Sequence, residues 1–460
     1  MTDNPNVMRS CMNGVVTQIS KRFAKHIVDI GGCSLHHISN AVKNSLSELY
    51  QCKIIEELFQ DLCTFFKNHV EFCDKFSEIQ DVLILENHKI LQYCEIRFLS
   101  VFPVVDRLLE QQKAVKVLFL EEVPKYHKKV AENPRVVCII NALKSKFTLP
   151  TLYFIRHSLE IYQKYEKLFQ RSDTTIHLLF DKQVDLFRTT LIYFCHLDRL
   201  QRLRFSEELL AFDFEKPENI LPVEEFSIGI NAKKLISGFE ECDKLLFLQS
   251  VKRFFIKISK HIRNNLSLQN KFLANLRFLK PENKIAGGEK MILDCASSLP
   301  PISKFTPKDM DALSIEWKLY VLEDLPEIEK VNGYVPVREY WKRVFELEDA
   351  GEPKFPLIQR VVRFALSLAE GNAGVERLFS QIFHIISKER NKLSTEPVRG
   401  LLITKSYLEN KGGCINMDID NSMIASVNQA HENYVQRTNS NKKDDACLHK
   451  RILEDAQRTV

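Results

Sequence analysis

The sequence predicts a mainly α-helical protein that begins with a short stretch of α/β structure. Glycine is absent between Gly32 and Gly229, and because glycine and proline interrupt helices, this interval is expected to hold long helices. Between Pro281 and Pro356 glycine and proline gather, and there we expect mostly loops. Apolar residues recur with helical spacing inside the glycine-free interval, as in Ile55, Leu58, Phe59, Leu62, Phe65 and Phe66.

The α/β signal lies in residues 1–50. The segment 3–5, Asp-Asn-Pro, is typical of a helix start, with a capping side chain and a proline in the first turn. Residues 26–30, His-Ile-Val-Asp-Ile, precede two glycines and predict a short β-strand. Helical spacing of Ile38, Val42 and Leu46 then predicts a helix.

Composition indicates a globular protein and argues against a membrane-spanning one, but it does not indicate a particular activity. The chain has 460 residues, 45% of them hydrophobic and 27% charged, which suits a globular protein with a large core. A net charge of +5 is small for this length, so a nucleic-acid partner would have to be argued from local basic stretches. No apolar run reaches the roughly 18 residues that span a bilayer, and we expect neither a membrane partner nor a small-molecule substrate.

The cysteines predict reduced, intracellular side chains. Twelve of them stand singly, without a Cys-x-x-Cys pair. The best metal-like spacing joins Cys33 to His36, but a structural zinc site needs four ligands, usually in closely spaced pairs. We therefore expect no zinc site.

One acidic residue near the C-terminal end has two interpretations. Glu376 lies at the border of an apolar helical stripe, beside Phe383. A carboxylate at the edge of a core needs compensation. It is either an ion-paired or capping residue, or a metal-binding acid. The stripe consists of Val375, Leu378, Phe379, Ile382, Phe383 and Ile386.

The segment around Glu376 resembles a known family signature. Residues 372–380, Asn-Ala-Gly-Val-Glu-Arg-Leu-Phe-Ser, followed by 390–394, Arg-Asn-Lys-Leu-Ser, are similar to the C-terminal signature of hAT-type transposases. In that family a small-residue turn precedes Glu-Arg-x-Phe-Ser, and Arg-x-x-Leu-Ser opens the next helix.

Three further segments keep the order of the same family. Residues 2–8, Thr-Asp-Asn-Pro-Asn-Val-Met, resemble the segment that carries a catalytic aspartate. Residues 33–36 resemble its Cys-x-x-His motif, and residues 94–100 resemble Cys-x-x-Arg-Trp-x-Ser, with Phe98 in place of tryptophan. Together the ordered matches indicate similarity to the C-terminal part of a hAT-type transposase.

The resemblance implies an architecture. It is mainly α with a truncated α/β RNase H-like core that is interrupted by a large all-helical insertion. Residues 1–105 are expected to form a partial RNase H-like core without its first three strands, and residues 106–315 the all-helical insertion. Residues 316–413 would hold the C-terminal RNase H-like helices and the hAT dimerisation region, and residues 414–460 a flexible polar tail.

The resemblance also implies a chemistry. The family cleaves and joins DNA with two divalent metals held by an Asp, Asp, Glu triad, since hard carboxylate oxygens suit Mg²⁺ or Mn²⁺. Asp3 corresponds to the second aspartate and Glu376 to the glutamate, while the first aspartate would precede Met1. The expected triad is therefore a remnant, and we expect no bound cofactor and no confident metal ligand. Mg²⁺ or Mn²⁺ would matter only to an intact ancestral site.

Other residues take their expected positions from the same resemblance. His36, Arg97 and Phe98 are expected in the vicinity of the active site. For His36 the alternative is a hydrogen-bonded core histidine, and for Arg97 an ordinary surface position.

Two basic stretches are candidates for contact with nucleic acid. Five cations share one face of a helix whose other face is apolar, and such a face can meet phosphates. The alternative is a solvated cationic face. A second, equally unspecific stretch holds Arg199, Arg202 and Arg204. The first stretch consists of Lys252, Arg253, Lys257, Lys260 and Arg263.

The C-terminal third supplies candidates for self-association. The family buries a hydrophobic surface in subunit contacts, and large apolar side chains are frequent in this part of the chain. The alternative is that they seal a core. The candidates are Trp341, Phe345, Phe355, Leu378, Phe379 and Phe383.

These expectations describe a domesticated, transposase-derived nuclear protein without a complete catalytic site. It would self-associate through its C-terminal region, as a homo-oligomer, and bind DNA non-specifically. Two alternatives stay open. One is an active hAT transposase whose N-terminal segment is missing, and the other is a helical protein-interaction scaffold without a nucleic-acid role.

Overall fold

A computed structural model describes residues 14–23, 28–91, 101–171, 173–299, 305–325, 328–331, 333–369, 371, 373–386, 393–417, 419–430 and 432–433. For residues 20, 23, 373–377 and 410 it describes the backbone alone. Asp3, Arg97 and Phe98 lie outside the described residues.

The N-terminal helices bury the faces that their spacing predicts. Ile38, Val42 and Leu46 are buried on α2, and Ile55 and Leu58 are buried on α3, which confirms both helices. The helices in this part are α1 (Val15–Phe23), α2 (Ser34–Leu46), α3 (Cys52–Asn68), α4 (Glu71–Val82) and α5 (Val101–Glu110).

A proline explains the irregular helix that follows. Helix α6 (Gln112–Lys116) continues as a π-helical turn (Val117–Glu122) and then as α7 (Val123–Tyr126). Pro124 has no N–H to donate and clashes with an ideal α-helical turn before it. The wider π turn ends just before this proline and buries Leu118 and Phe119. Short helices α8 (Lys128–Ala131) and α9 (Pro134–Lys144) complete this region.

Two long helices form the centre of the molecule. Helix α10 packs against α5 and α14, while α15 packs against α2 and α11. Phe154 on α10 meets Phe254 and Phe255 on α15 edge to face, with centroid distances of 5.3 and 5.6 Å. The helices are α10 (Thr148–Phe169), α11 (Ile176–Ile192), α12 (Leu197–Gln201), α13 (Ser206–Ala211), α14 (Ile230–Ile236) and α15 (Glu241–Asn265).

Three α-helices occupy about half of the described residues between Pro281 and Pro356, so the prediction of mostly loops was wrong for these segments. Some of the residues that suggested loops stand at the starts of helices, while Gly351 and Pro353 belong to a turn and a short strand. Pro307 and Pro356 occupy the first turn of α18 and α20, where a missing N–H costs nothing. Gly287 precedes α17 with φ of +80°. The helices of this interval are α17 (Gly288–Ser297), α18 (Pro307–Leu322) and α19 (Val337–Phe345); α16 (Lys271–Asn275) precedes it and α20 (Pro356–Ser367) begins at its end.

Strand structure among the described residues is minimal. A two-stranded antiparallel hairpin joins β1 (Glu348–Asp349) to β2 (Glu352–Pro353). The strand expected at 26–30 was wrong in its described part, since residues 28–30 are not in a strand. The Ser267 hydroxyl donates a hydrogen bond to the Ile30 carbonyl at 3.0 Å. This carbonyl is therefore paired with a side chain from a loop and not with the backbone of a neighbouring strand. The mainly α prediction is confirmed, and the described residues do not show an RNase H-like sheet.

The chain divides into two compact units, residues 1–374 and 375–460. Around and beyond the division lie α21 (Ala373–Ile385) and α22 (Thr395–Asn410). The tail expected from residue 414 onward contains a 3₁₀ turn (Cys414–Asn416) and a helical stretch at 421–430. Among the described residues, every helix is too short or too polar to cross a membrane.

Candidate self-association surface

The second unit carries large apolar side chains on its surface. On α21 the exposed fractions of Leu378, Phe379 and Phe383 are 44%, 55% and 75%. Phe379 and Phe383 are four residues apart, so they lie one turn apart on one face of the helix. We call the exposed apolar side chains of α21 and α22 the C-terminal face.

Helix α22 contributes the remaining members of the C-terminal face. Ile403 and Tyr407 are exposed there and their spacing again places them on one side of a helix, whereas the exposed Leu401 points to the other side. The resemblance implied a helix opening at residues 390–394, and α22 begins at Thr395; sequence reasoning did not single out its exposed apolar residues.

The described part of the second unit has very little core of its own. Val398 is the one described side chain in residues 375–460 that is buried. Isolated helices of this length are marginal in water, because packing of an apolar face supplies most helix stability. A partner that buries the C-terminal face would therefore stabilise these helices.

Three of the sequence-predicted association residues lie elsewhere. Trp341 and Phe355 are buried in the core of residues 1–374, and Phe345 is half-buried. The Trp341 indole donates to the Leu279 carbonyl at 3.0 Å. Its ring lies 5.3 Å from that of Tyr320. Trp341 and Phe355 thus fit the alternative interpretation, in which these side chains seal a core.

Of the two residues of the expected catalytic remnant, Asp3 lies outside the described residues, and only the backbone of Glu376 is described. Glu376 belongs to α21, but its side chain lies outside the described residues. His36 is half-buried on α2. A methyl group placed on Gly371 would lie 3.8 Å from Leu35 Cδ1 and 3.9 Å from Cys33 Sγ. The Cys-x-x-His segment is therefore next to the residue that precedes the C-terminal signature, although the two are far apart in sequence.

The predicted basic face on α15 is largely neutralised. Glu48 lies 3.6 Å from Arg253 Nε and 2.7 Å from Lys257 Nζ. Lys260 pairs with Glu215 at 2.7 Å. Arg263 lies over the ring of Phe214, 4.6 Å from its centroid. Lys252 is the fifth member, and no ion pair to it occurs among the described residues.

The second basic stretch lies beside an aromatic side chain. Arg204 and the exposed Phe205 line a cavity of about 570 Å³ that Lys271 and Arg277 also border. Arg277 faces Asp181 at 3.6 Å, so this cavity also carries compensating acidic charge.

One cluster among the described residues has the donor types of a metal site. His88 Nδ1 lies 2.7 Å from Glu110, and His88 Nε2 lies 3.5 Å from Glu86. Their ligand atoms all fall within 4.8 Å of one another. Arg107 Nε, however, lies 3.0 Å from the other Glu110 oxygen and competes for that carboxylate. A divalent cation could be held by these three side chains only at the expense of that ion pair.

Two ionisable side chains are buried in the first unit. Burial raises the pKa of Glu166 on α10 to about 8, and its Oε2 has no hydrogen-bond partner among the described residues. Burial, with a smaller contribution from the Lys280 charge, lowers the pKa of His177 on α11 to about 3. Both side chains are therefore neutral at pH 7.

No family model and no curated protein matches this sequence.

Proposed function

We propose that this chain is a transposase-derived protein that self-associates through the C-terminal face. The observation that carries the proposal is the exposure of Leu378, Phe379 and Phe383 in a unit whose described part has a single buried side chain. The proposed lineage rests on the ordered similarity of four sequence segments to hAT-type transposases.

The energetics favour a partner on this face. Burying an exposed phenylalanine contributes about 1.5–3 kcal/mol, so the two phenylalanines of α21 supply a useful interface core. Exposed charged side chains flank it: Glu396 and Arg399 pair with each other at 3.7 Å on α22. An apolar centre with a polar rim is the usual anatomy of a protein interface.

A second copy of the same chain is the proposed partner. Two copies related by a twofold axis present the same apolar face to each other, which closes the assembly without leaving apolar surface at its ends. The resemblance supports this choice, because hAT-type proteins form subunit contacts in the corresponding region.

The test is sedimentation velocity of the full chain over a range of micromolar concentrations. We expect an oligomer whose population rises with concentration. Replacing both phenylalanines, Phe379→Ser with Phe383→Ser, should weaken association by at least tenfold, since it removes at least about 1.4 kcal/mol of interface burial.

A matched control separates this effect from a general loss of apolar surface. Ile285→Ser changes a side chain of the first unit that is also exposed, and it should leave the association constant unchanged. A wild-type chain that stays monomeric over this range, or equal association of the double variant, contradicts the proposal.

A further inference from the structure

The first unit contains a cleft that the proposed function does not use. Its volume is about 850 Å³, within the range of small-molecule sites. One long face of α10 forms its floor, and α5 and the segment 225–233 form its sides. No sequence pattern pointed to it, because its walls come from three separate parts of the chain.

The wall made by residues 227–229 is held firmly against α10. Ser227 Oγ lies 3.1 Å from His157 Nε2, and the Ser227 amide donates to the Tyr193 carbonyl at 2.8 Å. Gly229 has φ of +86°, and a methyl group there would lie 3.0 Å from His157. Only glycine combines this backbone conformation with so close an approach.

The wall made by α5 is fixed as well. Asp106 on α5 forms an ion pair with Arg156 on α10, with 2.8 Å between the carboxylate and Arg156 Nε. The next helix, α6, reaches the same floor where Gln112 Nε2 donates to the Tyr153 hydroxyl at 3.1 Å. The cleft is therefore formed before any ligand arrives, which lowers the cost of binding.

The charges that line the cleft leave an excess of cations. Among the lining residues, Lys164 is neutralised by Glu160 at 2.7 Å, as Arg156 is by Asp106. Lys167 and Lys233 also line the cleft, and among the described residues neither makes an ion pair. Glu225 is the one lining acid outside these pairs.

Apolar side chains line the same cleft. Phe102 and Ile228 line the cleft, and Ile230 lies on it with 88% of its surface exposed. Burial lowers the pKa of His157, so the imidazole is neutral at pH 7 and serves the Ser227 hydrogen bond without adding charge.

We propose that this cleft binds a small organic monoanion with a ring-sized apolar body. Lys167 and Lys233 would attract the carboxylate or sulfonate group, and Phe102 and Ile230 would cover the body. A ligand of this kind would bury Ile230 and, at the same time, contact Lys167 and Lys233.

The experiment compares two fluorescent probes that share an aromatic body. 8-Anilinonaphthalene-1-sulfonate carries a sulfonate, and N-phenyl-1-naphthylamine does not. We expect the full chain to bind the sulfonate probe more tightly, with an affinity that falls as salt is added. Lys167→Gln and Lys233→Gln should each weaken it by roughly threefold to fivefold, as expected for about 0.7–1 kcal/mol from an exposed charge.

Two controls make the outcome decisive. Lys234→Gln removes an exposed cation from the same helix that does not line the cleft, and it should have no effect. Phe379→Ser with Phe383→Ser removes the C-terminal face as an alternative site for the probe, and should leave the lysine dependence intact. Equal affinity for both probes, equal effects of Lys233→Gln and Lys234→Gln, or no binding of the sulfonate probe overturns the proposal.

Discussion

At the scale of single residues, Glu166 and His177 make stability depend on pH in opposite directions. The raised pKa of Glu166 means that its contribution is fully present below about 4.5 and is lost as the pH rises towards about 8. The lowered pKa of His177 means that its contribution is present above about 6.5 and is lost as the pH falls towards about 3.

Replacement of Glu166 should therefore change the alkaline side of the stability profile. Ionising a buried carboxyl costs roughly 1.4 kcal/mol for each unit by which its pKa is raised. We expect the free energy of unfolding of Glu166→Gln to fall less between pH 6 and pH 9 than that of the wild type. Urea unfolding across this range measures the difference.

Glu160 on the same helix provides the control. Its hydrogen bond with Lys164 lowers its pKa, so it is ionised in both states throughout this range. Glu160→Gln should therefore run parallel to the wild type between pH 6 and pH 9. Parallel profiles for Glu166→Gln and the wild type would show that this carboxyl does not ionise there.

At the scale of elements, helix α15 shows how neighbours alter the meaning of a sequence pattern. The basic face was visible in the spacing of its lysines and arginines, but Glu48 meets Arg253 and Lys257 from the end of α2. Because paired cations release fewer counterions from DNA, we predict that this face binds DNA only weakly and in a salt-sensitive way.

Removing the acidic partner should strengthen that binding. Glu48→Gln frees Arg253 and Lys257, so we expect higher affinity for a random duplex at low salt. The plot of log affinity against log salt should become steeper by roughly one to two units, one for each newly engaged phosphate. Fluorescence anisotropy over a salt series measures both quantities.

The control for this charge change lies on another helix. Glu78→Gln on α4 alters an exposed acid by the same unit of charge, and it should leave the salt slope unchanged. An unchanged slope in Glu48→Gln would exclude α15 from the DNA contact.

At the scale of the whole molecule, the two units differ in how much of their apolar surface is covered. The core of residues 1–374 contains both tryptophans, Trp317 and Trp341. The described part of residues 375–460 buries only Val398. From this difference we predict that self-association stabilises the second unit.

Hydrogen exchange tests this dependence along the chain. We expect amides in residues 378–385 and 401–408 to exchange more slowly as protein concentration rises, because association protects these helices. Amides of α15 should exchange at a rate independent of concentration. Concentration-independent exchange in both segments would place any interface elsewhere.

The sequence predicted helices well where a long apolar stripe was uninterrupted, as in α2 and α3. It misplaced loops where Pro307 and Pro356 begin helices, because the same residues that end a helix also fit its first turn. Residues 28–30, the described part of the strand predicted at 26–30, are not in a strand, because a strand needs a neighbour and the Ile30 carbonyl meets Ser267 instead.

By itself, the sequence determined the mainly α architecture, the apolar stripe of α21 and the segments that resemble hAT-type transposases, because these depend on residues close together in the chain. Only the tertiary structure decided which apolar residues are core, placing Trp341 inside and Phe383 outside. It alone paired Glu48 with the basic helix and assembled the cleft around His157. Burial and charge pairing depend on neighbours distant in sequence, and no local pattern encodes them.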